Sequence, residues 1–142
     1  MYIKIILMIF ILSFSLFGAN IDDFASKVNF SRNYKSAFAE AEQTNKPLML
    51  VIVTDDCPWC KKLERSTLDT KDVKKELLDV VPVIVDSKYD RDNFPAKYVA
   101  KRTPTIFFID PRQNKKFYEN VGYLKKNDFL LLLDSMQKAF KK

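Results

Sequence analysis

The chain has 142 residues, with 24 Lys+Arg against 18 Asp+Glu, a net charge of +6 and no histidine, which removes Cys-His nucleophilic catalysis and every histidine-containing metal site. Its lysines are scattered and lack the clustered, aromatic-interleaved stripe of single-strand binders, so the charge reads as a solvated surface and no nucleic-acid partner is expected. Two glycines, six prolines and no linker, repeat or low-complexity block leave one domain's worth of chain, long enough to bury a core without disulfide staples.

The N-terminus carries Lys4, then an apolar stretch over residues 5–17, then Gly18-Ala19-Asn20. A short basic start, a short apolar run and small residues describe a secretory signal peptide, while a comfortable membrane span needs about 20 apolar residues. Residues 1–19 are assigned as the signal peptide and 20–142 as the domain, with an uncleaved N-terminal anchor as the alternative. Export directs the domain to a periplasmic compartment, where disulfides persist.

In the domain, Tyr34, Ala37, Phe38 and Ala41 recur at helical spacing, and Asn45-Lys46-Pro47 ends that amphipathic helix. Residues 48–53 are continuously apolar, as a central strand covered on both faces should be. Cys57-Pro58-Trp59-Cys60 follows and holds both cysteines, so neither has a third cysteine to pair with. A strand running into a Cys-x-x-Cys turn that opens a helix is the arrangement for reversible dithiol/disulfide chemistry. A staple between residues three apart closes a tiny loop and stabilises little. The helix from about Pro58 places Cys60, Leu63, Thr67 and Leu68 on or near one side, and Asp69 or Thr70 caps the next helical stretch.

Residues 80–85 form a second buried strand, in which Pro82 lacks a ladder donor and demands an unpaired side or a strand start. Asn93-Phe94-Pro95-Ala96 predicts a cap and a helix running to about Ala100. Residues 105–109 and 117–121 form a hairpin around residues 110–114, and a final helix over residues 127–140 buries Leu130, Leu131, Leu133, Met136 and Phe140. Strands alternating with helices, then a hairpin and a terminal helix, describe an α/β domain with a mixed sheet.

Placed at a helix start, Cys57 faces unpaired backbone N–H groups and the positive end of the helix dipole, which favour its thiolate. Cys57 is therefore the expected nucleophile and Cys60, three residues on, the resolving thiol. Lys61 and Lys62 favour the thiolate, whereas Asp55 and Asp56 oppose it by like charge; helix capping and solubility are the plainer roles for those two aspartates. Cys57, Cys60 and Glu64 fall at i, i+3 and i+7. Glu64 is either a proton acceptor for Cys60 or a surface carboxylate paired with Lys61 or Lys62. Trp59 offers an apolar contact to a partner around the exposed sulfur.

Strand, Cys-Pro-Trp-Cys, helix, strand, helix, Thr103-Pro104-Thr105, hairpin and helix together resemble the thioredoxin fold across nearly all of residues 20–142. Asn45-Lys46-Pro47, Cys60-Lys61-Lys62-Leu63-Glu64, Thr67-Leu68 and Val121-Gly122-Tyr123 resemble more narrowly the exported thioredoxin-like oxidoreductases that include the C-terminal domain of the bacterial membrane disulfide reductase. The resemblance implies a cis peptide before Pro104, with Thr103 offering backbone hydrogen bonds to an extended substrate. It lends Glu64 weight, since that domain has an acidic residue at the matching place. It also marks two departures: Val51 stands where thioredoxins bury an aspartate, and Asp56 where they carry tryptophan.

The resemblance thus implies a monomeric thiol:disulfide oxidoreductase without cofactor or metal, acting on protein disulfides, as a reductase supplied by a membrane-bound thiol electron donor. Oxidase or isomerase activity is the alternative, although exported isomerases of this fold generally bring a dimerisation domain for which there is no spare length. A further alternative from another class is a Cu(I)-binding or redox-inactive interaction module, because two thiolates suit a soft metal but make only half of a typical zinc site.

Overall fold

A computed structural model describes residues 20–142; the expected signal peptide lies outside the described residues. Four strands form one mixed sheet in the order β2-β1-β3-β4: β1 Leu48–Val53, β2 Val81–Asp86, β3 Thr105–Asp110 and β4 Lys115–Val121. β2 runs parallel to β1, while β3 is antiparallel to both β1 and β4. This is the thioredoxin fold expected of the sequence.

Period-two alternation sends successive residues of the continuously apolar β1 to opposite faces, and both faces are covered. Met49, Val51 and Val53 join Ile84, Ile106 and Phe108 beneath α1 (Ile21–Val28), α3 (Pro58–Leu63), α4 (Lys71–Glu76) and α5 (Lys126–Phe140). Leu48, Leu50 and Ile52 join Val83, Val85 and Phe107 beneath α2 (Tyr34–Thr44) and a single 3-10 turn, Ala96–Tyr98. All six β1 side chains are buried, each contributing about 1.5–3 kcal/mol relative to exposure. β1 is thus a rigid platform, and the chain leaving it at Thr54 enters the Cys-x-x-Cys turn.

Asparagine caps frame the first two helices. Asn20 and Asn33 accept the Asp23 and Ser36 amides at their N-termini, and Asn29 and Asn45 take the left-handed conformation at their C-termini. The chain-order expectations above did not include α1, whose signals are the Asn20 cap, Asp22 and Asp23 in the first turn, and Phe24, Ala25 and Val28 along one face.

Pro82 sits on the edge strand. Val81 N–H donates inward to the Pro47 carbonyl and Ile84 N–H donates outward to that of Ser31, so residue 82 also faces outward, where its missing donor breaks no bond to β1. Ser31 bridges to β2 there, donating its amide to the Pro82 carbonyl at 3.0 Å.

Two expected elements need correction. Residues 93–100 do not form a helix; Pro95 is extended at ψ 132°, and only the 3-10 turn follows, with Phe94 and Tyr98 anchored in the core. In α5 the buried stripe is Phe129, Leu133 and Phe140, and Leu131 is 69% exposed. Residues 129–133 are all apolar, which hides the helical phase; the helix turns about 100° per residue, so Leu131 points away from both Phe129 and Leu133.

Candidate thiol–disulfide site

Cys57 is itself the N-cap of α3, with extended backbone, and its Sγ accepts the Cys60 amide at 3.1 Å. Pro58 occupies the first turn, where its missing N–H leaves no hydrogen bond unmade. Asp55 and Asp56 are exposed and cap nothing; the capping role considered for them belongs to Cys57.

Cys57 and Cys60 are joined as a disulfide with Cα atoms 5.2 Å apart. Cys60 is 0% exposed, packed among Val51, Leu63 and Phe129, whereas Cys57 is partly open to solvent. Only the Cys57 sulfur therefore presents itself to an external thiol or disulfide.

The Thr103–Pro104 peptide is cis, as the resemblance implied. The Cys57 Sγ lies 3.4 Å from the Thr103 carbonyl oxygen. In the disulfide this sulfur carries no hydrogen, so the contact becomes an S–H···O hydrogen bond only on reduction. The loop is held from two sides. Thr54 and Thr103 share a hydroxyl–hydroxyl bond at 3.0 Å, and Gly122 N–H donates to the Pro104 carbonyl at 2.8 Å from a backbone with φ +96° that favours glycine. Sequence reading did not include Thr54; a threonine at a strand end has no local signature for such a bond.

Trp59 is 56% exposed, and its ring lies 5.8 Å from that of Tyr123. The Lys62 ammonium sits over both rings, at 5.0 Å and 4.9 Å. An aromatic ledge thus borders the accessible sulfur, with Tyr123 as a member that only the fold brings into place.

Glu64 follows one turn after Cys60, its amide hydrogen-bonded to the Cys60 carbonyl. There the helix widens into a π turn, Glu64–Leu68, closed by the Asp69 amide on the Glu64 carbonyl at 2.9 Å. The wider turn lets Thr67 and Leu68 both face the core, and the Thr67 hydroxyl donates to the Leu124 carbonyl at 2.6 Å. Glu64 is 4% exposed, so it is not the surface carboxylate of the plainer reading, although it does pair with Lys61 Nζ at 3.6 Å. Its Oε1 has no hydrogen-bond partner among the described residues. Burial raises the Glu64 carboxyl above its ordinary range, and Asp55 adds to that, while Lys61 and Arg65 pull the other way. The buried acids Asp86 and Asp110 are otherwise engaged, Asp86 by the Lys88 and Tyr89 amides and Asp110 by Arg112. Glu64 also lines a groove of about 400 Å³ against Phe24, Lys27 and Arg65, which opens a path to water.

An α/β sheet with an N-capping cysteine in a Cys-x-x-Cys disulfide, facing a cis-proline loop, defines the thioredoxin-like class of domains. The chain belongs to the thioredoxin-like domain family, whose model matches residues 34–137. It is similar to Anterior gradient protein 2 homolog of Homo sapiens, 30% identical over 123 residues covering 79% of this chain and 66% of that protein. Anterior gradient protein 3 of Mus musculus is 24% identical over 126 residues, 80% of this chain and 72% of its own length. The chain therefore spans just under two thirds of the anterior gradient 2 relative. Among solved structures, a thioredoxin from Thermus thermophilus superposes with a TM-score of 0.62 at 20% identity, covering 75% of this chain and 85% of that one. The oxidised C-terminal domain of Neisseria meningitidis DsbD superposes with a TM-score of 0.57 at 17% identity, covering 71% and 90%. These two share the fold.

Proposed function

We propose that the protein is exported by its N-terminal segment to the periplasm and there reduces disulfides of protein substrates, taking electrons from a membrane-bound thiol donor and working as a monomer. The observation that carries this reading is the asymmetry of the pair: Cys57 is a partly exposed helix cap beside the Thr103 carbonyl, and Cys60 is wholly buried. Such an arrangement separates an attacking sulfur from a resolving one.

In the forward cycle the Cys57 thiolate, favoured by the Cys60 amide and the helix N-terminus, attacks one sulfur of the substrate disulfide. An S–S bond forms to Cys57, the substrate S–S bond breaks, and the first substrate thiolate leaves. Cys60 then gives up its proton and attacks the Cys57 sulfur, which releases the second substrate thiolate and closes the Cys57–Cys60 disulfide. With Val51 apolar in the cluster that holds Cys60, Glu64 is our proposed acceptor of that proton, and its raised affinity for protons suits the role. Trp59, Thr103 and Pro104 form the proposed substrate-binding rim, the Thr103 backbone adding to an extended chain as a strand edge does.

Reduction of insulin disulfides tests the assignment: Cys57→Ser is expected to abolish it, and Cys60→Ser to accumulate a mixed disulfide through Cys57. Persistent insulin reduction by Cys57→Ser would sink the oxidoreductase reading. Equilibration with glutathione tests direction, because a potential near the oxidase end of the range, about −120 mV, would replace reductase by oxidase.

A further inference from the structure

A groove of about 450 Å³ runs along the β4 side of the cis-proline loop, lined by Val99, Lys101, Arg102, Lys116, Glu119 and Val121. Its place relative to the disulfide is fixed by covalent connection and register. Arg102 directly precedes Thr103, whose carbonyl touches the Cys57 sulfur, and Val121 pairs with Thr105 in the neighbouring strand. Val99 and Val121 give it an exposed apolar strip, 44% and 53% open. Its charges do not cancel. Lys116 and Glu119 pair with each other, but the Lys101 and Arg102 side chains, both exposed, have no ion-pair or hydrogen-bond partner among the described residues. On the other side of the disulfide, above β1 and β2, a separate hollow is lined by Thr54, Asp55, Asp56, Asp86, Lys88 and Tyr89, and so carries acidic groups. The rim is thus electrostatically lopsided, cationic towards β4 and acidic towards β2.

We propose that this groove receives an acidic stretch of the substrate chain next to its reacting disulfide, with Lys101 and Arg102 as specificity-determining residues; this rests on the thiol-exchange reading above. A chain laid extended against Thr103 advances about 3.3 Å per residue, so side chains within about three positions of its cysteine reach Lys101 and Arg102. A carboxylate there gains a planar guanidinium that can bind it by two parallel hydrogen bonds, while apolar neighbours cover Val99 and Val121. The same carboxylate on the β2 side would meet Asp55 and Asp56. Charge therefore selects the orientation of the substrate as well as its composition.

Two synthetic peptides, each with one intramolecular disulfide and differing only in a Glu-Glu or a Lys-Lys pair beside it, provide the test. Mixed with the reduced protein at low salt, the Glu-flanked peptide is expected to react about tenfold faster, a gap that closes as salt rises. In the double variant Lys101→Glu/Arg102→Glu the order reverses, and in Lys101→Gln/Arg102→Gln the preference disappears. Each readout is a ratio of two peptides on one protein, so altered folding or thiol reactivity cancels. Equal rates on the unmodified protein where both peptides are reduced, or an unchanged preference in the variants, overturn the proposal. Cysteine-free versions, with serine in place of cysteine and a fluorescent label, are then titrated onto the oxidised protein and followed by anisotropy. Preferential binding of the acidic peptide, lost in Lys101→Glu/Arg102→Glu, supports the groove even where neither disulfide peptide is reduced, an outcome that fails the oxidoreductase reading alone. Equal binding of acidic and basic peptides overturns the groove proposal.

Discussion

Glu64 concentrates the tension between stability and chemistry. A carboxyl whose Oε1 lacks a partner among the described residues costs free energy when ionised in the interior, and the Lys61 contact at 3.6 Å, with the charge of Arg65, offsets part of the loss of water. Its folded affinity for protons is raised, so ionisation opposes folding: the penalty is absent below the ordinary carboxylate range and grows as pH rises towards the folded value. Glu64→Gln is accordingly expected to stabilise the domain by on the order of 1 kcal/mol at neutral pH, with no gain in acid, read by denaturant unfolding at the two pH values. The same change should slow closure of the Cys57–Cys60 disulfide in single-turnover reactions, with a flatter pH profile. An unaltered rate and profile would remove Glu64 from the proton path and leave it a structural oddity.

At the scale of elements, α5 offers a direct comparison within one run of apolar residues. Leu133→Ala empties a fully buried position and is expected to cost about 2–5 kcal/mol, while Leu131→Ala at an exposed one changes stability by less than about 0.5 kcal/mol. Chemical denaturation of the two variants checks this. The pair also shows where the sequence was readable. β1 announces itself because six apolar residues end at a Cys-x-x-Cys turn, and the helix at Tyr34 because its polar residues interrupt the apolar ones. α5 has the right extent but an undefined phase, since residues 129–133 carry no polar marker. The 93–100 segment fails for the opposite reason: cap and proline signals are local, and what decides the backbone is the core positions found by Phe94 and Tyr98. At the site, both cysteines and the Thr103–Pro104 loop are legible from spacing and family resemblance, while the Thr54 bond and the Tyr123 stack depend on contacts between residues 49 and 64 positions apart.

For the molecule as a whole, Asp69 ties separate helices together. It sits after the π turn and pairs with Lys27 of α1 at 2.5 Å and Lys74 of α4 at 3.1 Å. Lys27 first, then Lys74, hold its carboxyl below the ordinary 3.8 despite some desolvation. The resulting stabilisation is present above the unfolded value and is lost as pH falls through the depressed one. Asp69→Asn should therefore lower the melting temperature at neutral pH and converge with the unmodified protein in strong acid, and a constant difference across the series would remove ionisation as its cause.

The two rims of the sheet are unequal in a way that limits self-association. Along β2, Pro82 offers no amide and Ser31 already occupies the neighbouring groups, whereas β4 lies at the other edge of the sheet with no further strand beside it among the described residues. A polymer built by strand addition needs two receptive rims on every copy, one to give and one to accept. With one rim blocked, sheet continuation stops once two β4 strands meet, and the domain can be concentrated without seeding a filament.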